Sequence, residues 1–163
     1  MTILDMQDAL VEEIKQLLQD RKYQKAFKPK ERVEMTVYPQ AVPLEFELDE
    51  ISDEVIVSKA PYMVVRLREG NSGNNNTGDK VQVYITTCIY DNNFDQQGYR
   101  SLMEIVEVIK QRFMTNPILA NQYVCNTEEI GWVLPDEDEF PFYFSMITMQ
   151  FEIPAIRRED MFC

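Results

Sequence analysis

Along residues 2–24, apolar side chains recur at Ile3, Met6, Leu10, Val11, Ile14, Leu17 and Leu18. This is the three-to-four-residue spacing of one helix face. Glu12, Glu13, Lys15 and Asp20 fall on the other side, and Thr2 with Asp5 supplies a capping-box start, so a helix is predicted over residues 2–24. From residue 32 the period shortens. Val33, Met35 and Val37 alternate with Glu34, Thr36 and Tyr38, the two-residue repeat of a strand over residues 32–38. Residues 39–61 are acidic with short apolar pieces and predict only short strands and turns. Strands are predicted again at residues 62–68 and 81–90, the second with Val81, Val83, Ile85, Thr87 and Ile89 on one face. Residues 69–80 between them carry three glycines and four asparagines and have nothing to bury. A hairpin with a mobile projecting tip is predicted there, with Gly70, Asn71, Gly73, Asn74, Asn75, Asn76 and Gly78 as a candidate contact loop.

After a polar loop at residues 91–98, Leu102, Ile105, Val106, Ile109 and Phe113 mark a second helix over residues 98–115. Asn116-Pro117 ends it, because the residue before a proline disfavours the helical region. A second hairpin follows a connector, with strands at residues 130–134 and 140–153 around the acidic turn 135–139. Its long strand is apolar on both faces at residues 142–146, as a strand central in a sheet or covered by a partner would be. The order predicts an α+β fold: a mainly antiparallel sheet packed by an N-terminal helix and a second helix, with a protruding β-hairpin loop. At 163 residues the chain is long enough for one well-buried domain spanning residues 1–163.

Charge sharpens this picture. Residues 21–32 hold Arg21, Lys22, Lys25, Lys28, Lys30 and Arg32 against one acid, a net +5, while the remaining 151 residues carry −17. The functional reading of the basic segment is a docking surface for an acidic neighbour, including another copy of this chain. The structural reading is a solvated helix end that complements the helix dipole. Acids cluster at Glu45, Glu47, Asp49 and Glu50 and again at Asp136, Glu137, Asp138 and Glu139, which are candidate partner-facing surfaces. A net charge of −12 argues against general binding of nucleic acid, which needs clustered cations, and against docking on anionic membranes.

Reactive chemistry has little to work with. The chain has no histidine, the usual base for a serine or cysteine nucleophile. Its three cysteines, Cys88, Cys125 and Cys163, lack metal-ligand spacing and predict reduced thiols in a cytosolic compartment. The glycines of residues 69–80 lack the spacing of a phosphate-binding loop. The Asp136–Glu139 run has no glycine for the sharp turn of a calcium loop. No catalytic residue, metal site or cofactor is expected.

The order of segments carries a resemblance. An N-terminal amphipathic helix precedes Tyr62-Met-Val-Val-Arg-Leu-Arg-Glu-Gly70 and the strand at residues 81–90. The helix Gly98-Tyr-Arg-Ser-Leu-Met-Glu-Ile-Val-Glu-Val-Ile-Lys-Gln-Arg-Phe113 follows, then Trp132, Phe140-Pro-Phe-Tyr-Phe144 and Phe151-Glu-Ile-Pro154. Together these resemble the tail terminator, or tail completion, proteins of tailed phages and phage-tail-like particles. The resemblance implies a homohexameric ring at the head-proximal end of the tail tube in the virion, assembled in the host cytoplasm. The ring would stop tube polymerisation and present the head-joining surface. The partners so implied are other copies of the chain, the tail tube protein, a neck or head-connector protein, and sheath protein in a contractile tail. DNA would be passing cargo, kept off the wall by lumen-facing acids. The alternatives are another neck, head–tail connector or tube protein and, in a different class, an acidic DNA-mimic inhibitor of a host nucleic-acid enzyme. A metal-dependent hydrolase would need a carboxylate pocket that the sequence does not declare.

Overall fold

The helical stripe of the N-terminus runs out at Leu18, and the helix stops there. In the computed structural model, which describes residues 2–43, 56–72 and 78–154, α1 spans Ile3–Leu18. The Thr2 hydroxyl accepts the Asp5 N–H at 3.1 Å, and the Asp5 carboxylate accepts the Thr2 N–H at 2.9 Å. This reciprocal box satisfies two otherwise orphaned donors of the first turn.

Beyond α1 the chain departs from the expected helix to residue 24. It turns at residues 19–21 and forms a two-stranded antiparallel hairpin, β1 (Lys22–Lys25) and β2 (Lys28–Glu34). The expected strand over residues 32–38 is likewise divided. Glu34 still pairs with Lys22, but after Met35 the chain changes partner, and β3 (Thr36–Pro39) runs parallel to β4 (Tyr62–Asn71). The alternation holds through these residues, but a local pattern cannot show a change of sheet halfway along.

Among the described residues the main sheet has seven strands. β4 pairs antiparallel with β5 (Asp79–Tyr90), and β5 pairs along its whole length with β9 (Phe142–Ile153). The far edge of β9 is shared by β7 (Tyr123–Cys125) and β8 (Gly131–Val133), and β6 (Ile118–Leu119) closes that side. Every ladder except β3–β4 is antiparallel, and the protein is α+β. The apolar-both-faces stretch of residues 142–146 begins β9. The strand is central further along, whereas residues 142–145 pair in the ladders with β5 alone, and Phe142 and Phe144 pack on the second core. The short β6 and β7 lie in what the sequence offered only as a connector.

One face of the sheet is covered by α1 and by α2 (Tyr99–Thr115). Met6, Leu10 and Ile14 of α1 and Leu102, Ile105, Ile109 and Phe113 of α2 are buried with Val83, Ile85, Ile147 and Phe151. Phe113 meets Phe151 edge to face at 5.5 Å. The two helices are tied by Arg112, whose Nε donates to the Glu13 carboxylate while its guanidinium also donates to the carbonyls of Asn116 and Ile118. A single side chain thus links α1, the end of α2 and the start of β6.

Side chains alternate across a strand, so Tyr62, Cys88 and Tyr90 point to the opposite face. There they form a second, smaller core with Ala26 and Ala60, flanked by Tyr38, Val64, Phe142 and Phe144. The hairpin closes this end of the sheet: Ala26 N–H donates to the Ala60 carbonyl at 3.0 Å.

Candidate functional site

Five of the six cations of residues 21–32 are gathered by the β1–β2 hairpin and Arg21 directly precedes it, so a solvated helix end does not describe them. Tyr23 faces Val33 in the ladder, and Gln24 faces Arg32. The Gln24 side chain accepts the Asn92 N–H at 3.3 Å, which fixes the hairpin to the end of β5. At its tip Phe27 adopts a left-handed backbone with φ 61°. Its ring packs against Tyr90 at 5.8 Å and Phe142 at 5.6 Å, yet it remains 63% exposed.

The cations divide by partner. Arg21 reaches Glu104 of α2 at 4.0 Å and Lys25 reaches Glu31 at 3.6 Å, both on exposed side chains. Exposed pairs of this kind contribute about 0–1 kcal/mol. Lys22, Lys28, Lys30 and Arg32 form no ion pair among the described residues. Arg21, Lys22 and Arg32 line a groove of ≈ 430 Å³ together with Asp91 and Glu104. The mixture of signs makes it a polar recess and not an anion cradle.

Beside the hairpin, at the same end of the sheet, stands a surface that sequence reasoning half found. Asp136, Glu137, Asp138 and Glu139 lie on the turn before β9, all exposed. The loop after β5 joins them: Asp91 N–H donates to the Pro141 carbonyl at 2.9 Å, and Phe94 stacks on Phe140 with centroids 6.1 Å apart. Phe94 is 91% exposed. Burial pushes the Tyr143 phenol up, and the Asp138, Asp91 and Asp95 carboxylates push it the same way. None of these acids forms an ion pair among the described residues. The available signal was Phe94 itself, the one apolar residue in an otherwise polar stretch at residues 91–98.

The other candidates are placed less fully. Glu45, Glu47, Asp49 and Glu50 lie outside the described residues, as do Gly73, Asn74, Asn75 and Asn76 of the expected loop. Gly70 and Asn71 are strand residues, paired with Val81 and Lys80, because the β4–β5 ladder runs further than the glycine and asparagine content implied. Gly78 N–H donates to the Glu152 carboxylate at 3.1 Å.

Cys88 and Cys125 are buried free thiols, and burial pushes each up to about 12. Such thiols are poor nucleophiles, since the thiolate is the reactive form. Among the described residues no three of His, Cys, Asp and Glu are placed to hold a metal ion, and no helix is long and apolar enough to cross a membrane. The arrangement at this end of the sheet can recognise a surface: cations on a fixed hairpin, carboxylates on a neighbouring shelf, and an exposed aromatic ring on each. Compared with known proteins, the chain matches no family model and no curated protein.

Proposed function

We propose that this protein is a structural component of a phage tail or tail-like particle, a tail terminator that forms a ring on the head-proximal end of the tail tube. The observation that carries the reading is charge left unsatisfied within one chain. Among the described residues Lys28, Lys30 and Arg32 have no ion-pair partner, and neither have Asp136–Glu139 at the same end of the sheet. Two complementary patches on one molecule are what a repeated head-to-tail contact uses, and such a contact closes into a ring when its rotation permits. The order of elements supports the particular family: an N-terminal helix, a long hairpin, a second helix and a final aromatic hairpin on one mainly antiparallel sheet. The partners in this reading are further copies of the chain, the tube protein below and a neck or head-connector protein above.

The test is the mass distribution of the purified protein with and without its own tube protein, by light scattering and negative-stain microscopy. Rings of uniform size, seated on tube ends that grow no further, are the expected result. Long tubes of the protein alone would assign it as a tube subunit, and a monomer indifferent to tubes would overturn the reading.

A further inference from the structure

We infer that the hairpin tip of one copy, Phe27 with Lys28 and Lys30, docks on the Phe94–Phe140 shelf of a second copy. The inference deepens the ring reading and rests on it for the number of copies; it names the two surfaces that meet.

The shelf is built and not merely exposed. Asp91 accepts the Asn93 N–H at 3.0 Å and Asp95 accepts the Gln97 N–H at 3.2 Å, so the loop carrying Phe94 is held at both ends by its own side chains. The loop nevertheless presents a phenyl ring to solvent at 91% exposure, supported on one side by Phe140. An aromatic ring held outward on an ordered loop, rimmed by carboxylates, fits a partner that brings apolar contact and positive charge together.

The same chain supplies such a partner. Phe27 is 63% exposed at the tip of a hairpin whose next residues include Lys28 and Lys30. In its own chain the Phe27 ring meets Tyr90 and Phe142, whereas the Phe94 ring meets Phe140, so the two patches do not satisfy each other internally. Nor do the lysines pair with the acids. Among the described residues both halves of the contact are thus left without each other on every copy. In the ring reading such a contact is heterologous, and each copy gives a tip to one neighbour and a shelf to the other.

The experiment is sedimentation velocity across concentration and salt, on the full chain and three variants. Phe94→Ala removes the anchor ring, Lys28→Glu/Lys30→Glu reverses the tip, and Glu137→Lys/Asp138→Lys reverses the shelf. All five positions are exposed, and circular dichroism confirms that each variant is folded. The wild type is expected to self-associate, less strongly at high salt, and each variant to associate at least about tenfold more weakly. An equimolar mixture of the two charge-reversed variants is expected to recover association, because each reversed surface then faces a reversed partner in alternating order.

Association that none of the variants weakens, or a mixture that stays as dissociated as its components, would overturn the contact. Tube capping reads the ring proposal separately. Variants that still cap tubes in wild-type rings would sink this contact and leave the terminator standing. Association that follows the charge swaps in a protein that ignores tubes would do the reverse. A wild type that neither associates nor caps would overturn both.

Discussion

Gly98 lacks a side chain because Tyr143 occupies the space that one would need. A Cβ there would come within 2.4 Å of the Tyr143 ring, which is itself fully buried under the start of α2. Gly98 is the N-cap of α2 with an ordinary helical φ of −59°, so the smaller unfolded-state entropy of alanine would favour it by about 0.4–1 kcal/mol, set against glycine's own preference for an N-cap. Overpacking a rigid aromatic ring costs about 1–3 kcal/mol, and the ring wins. Gly98→Ala is expected to lower stability by about 1–2 kcal/mol, a fall of roughly 4 °C in Tm. A differential-scanning trace with an unchanged or raised Tm would show that Tyr143 can move aside. Phe27 presents the complementary trade. Its left-handed backbone is costly for a residue with a Cβ, and its ring contacts with Tyr90 and Phe142 offset that cost.

At the scale of elements, a pair of glutamines does work that the backbone leaves undone. β3 ends at Pro39, and Gln40 turns away with φ 68°, which would leave the edge of β4 open at Leu67. The Gln40 side-chain amide takes the place of a further peptide unit. Its oxygen accepts the Leu67 N–H at 3.0 Å and its nitrogen donates to the Leu67 carbonyl at 3.3 Å. Gln7, buried on α1, donates to the same Gln40 oxygen at 3.2 Å and to the Val65 carbonyl at 2.9 Å. Helix, edge strand and sheet are joined through two side chains. Gln40→Ala is expected to cost about 1 kcal/mol. Its specific signature is faster hydrogen exchange at the Leu67 amide, with little change at the centre of β5; uniform acceleration would mean global destabilisation instead.

These elements were unequally legible. The stripes of α1 and α2, the alternation of β5 and the two-faced apolar character of β9 were readable because burial there repeats with the element's own period. The β1–β2 hairpin was not readable, because its exposed lysines carry no periodic apolar signal and only Tyr23 and Val33 mark its inner side. The partner change at Met35 and the Gln40 amide depend on contacts with residues more than 20 positions away, which local pattern cannot contain. Of the site, the basic cluster and the acidic turn were visible as composition. Their meeting at one end of the sheet, and the part played by Phe94, followed only from the way β5 and β9 pair.

For the molecule as a whole, the buried thiols and phenols are expected to lower stability at alkaline pH. Burial raises the thiols of Cys88 and Cys125 from an ordinary value of 9.0 to about 12, and burial pushes the phenols of Tyr23, Tyr123 and Tyr143 up as well. The folded chain therefore keeps protons that the unfolded chain has already released. Stability from the thiols is fully present below pH 9.0 and is lost as pH rises towards 12. Urea midpoints are expected to fall across that window, and to fall less steeply in Cys125→Ala, which removes one of the titrating groups. An identical slope in that variant would place the alkaline sensitivity elsewhere. In the same window Ellman's reagent should reach Cys88 and Cys125 only as the protein unfolds.

The single residue between β2 and β3 also decides how the molecule carries mechanical load. The strand that leaves the hairpin at Glu34 enters the main sheet at Thr36, with only Met35 between them. A pull on the hairpin along that direction therefore does not peel β3 from β4 one rung at a time. It drags four parallel registers, Thr36 to Pro39 against Tyr62 to Val65, lengthwise and together, while the Gln40 clasp lies just behind them. A short ladder resists such sliding better than unzipping, since every bond must yield at once. The exposed hairpin is thus moored to its sheet through bonds that share such a load.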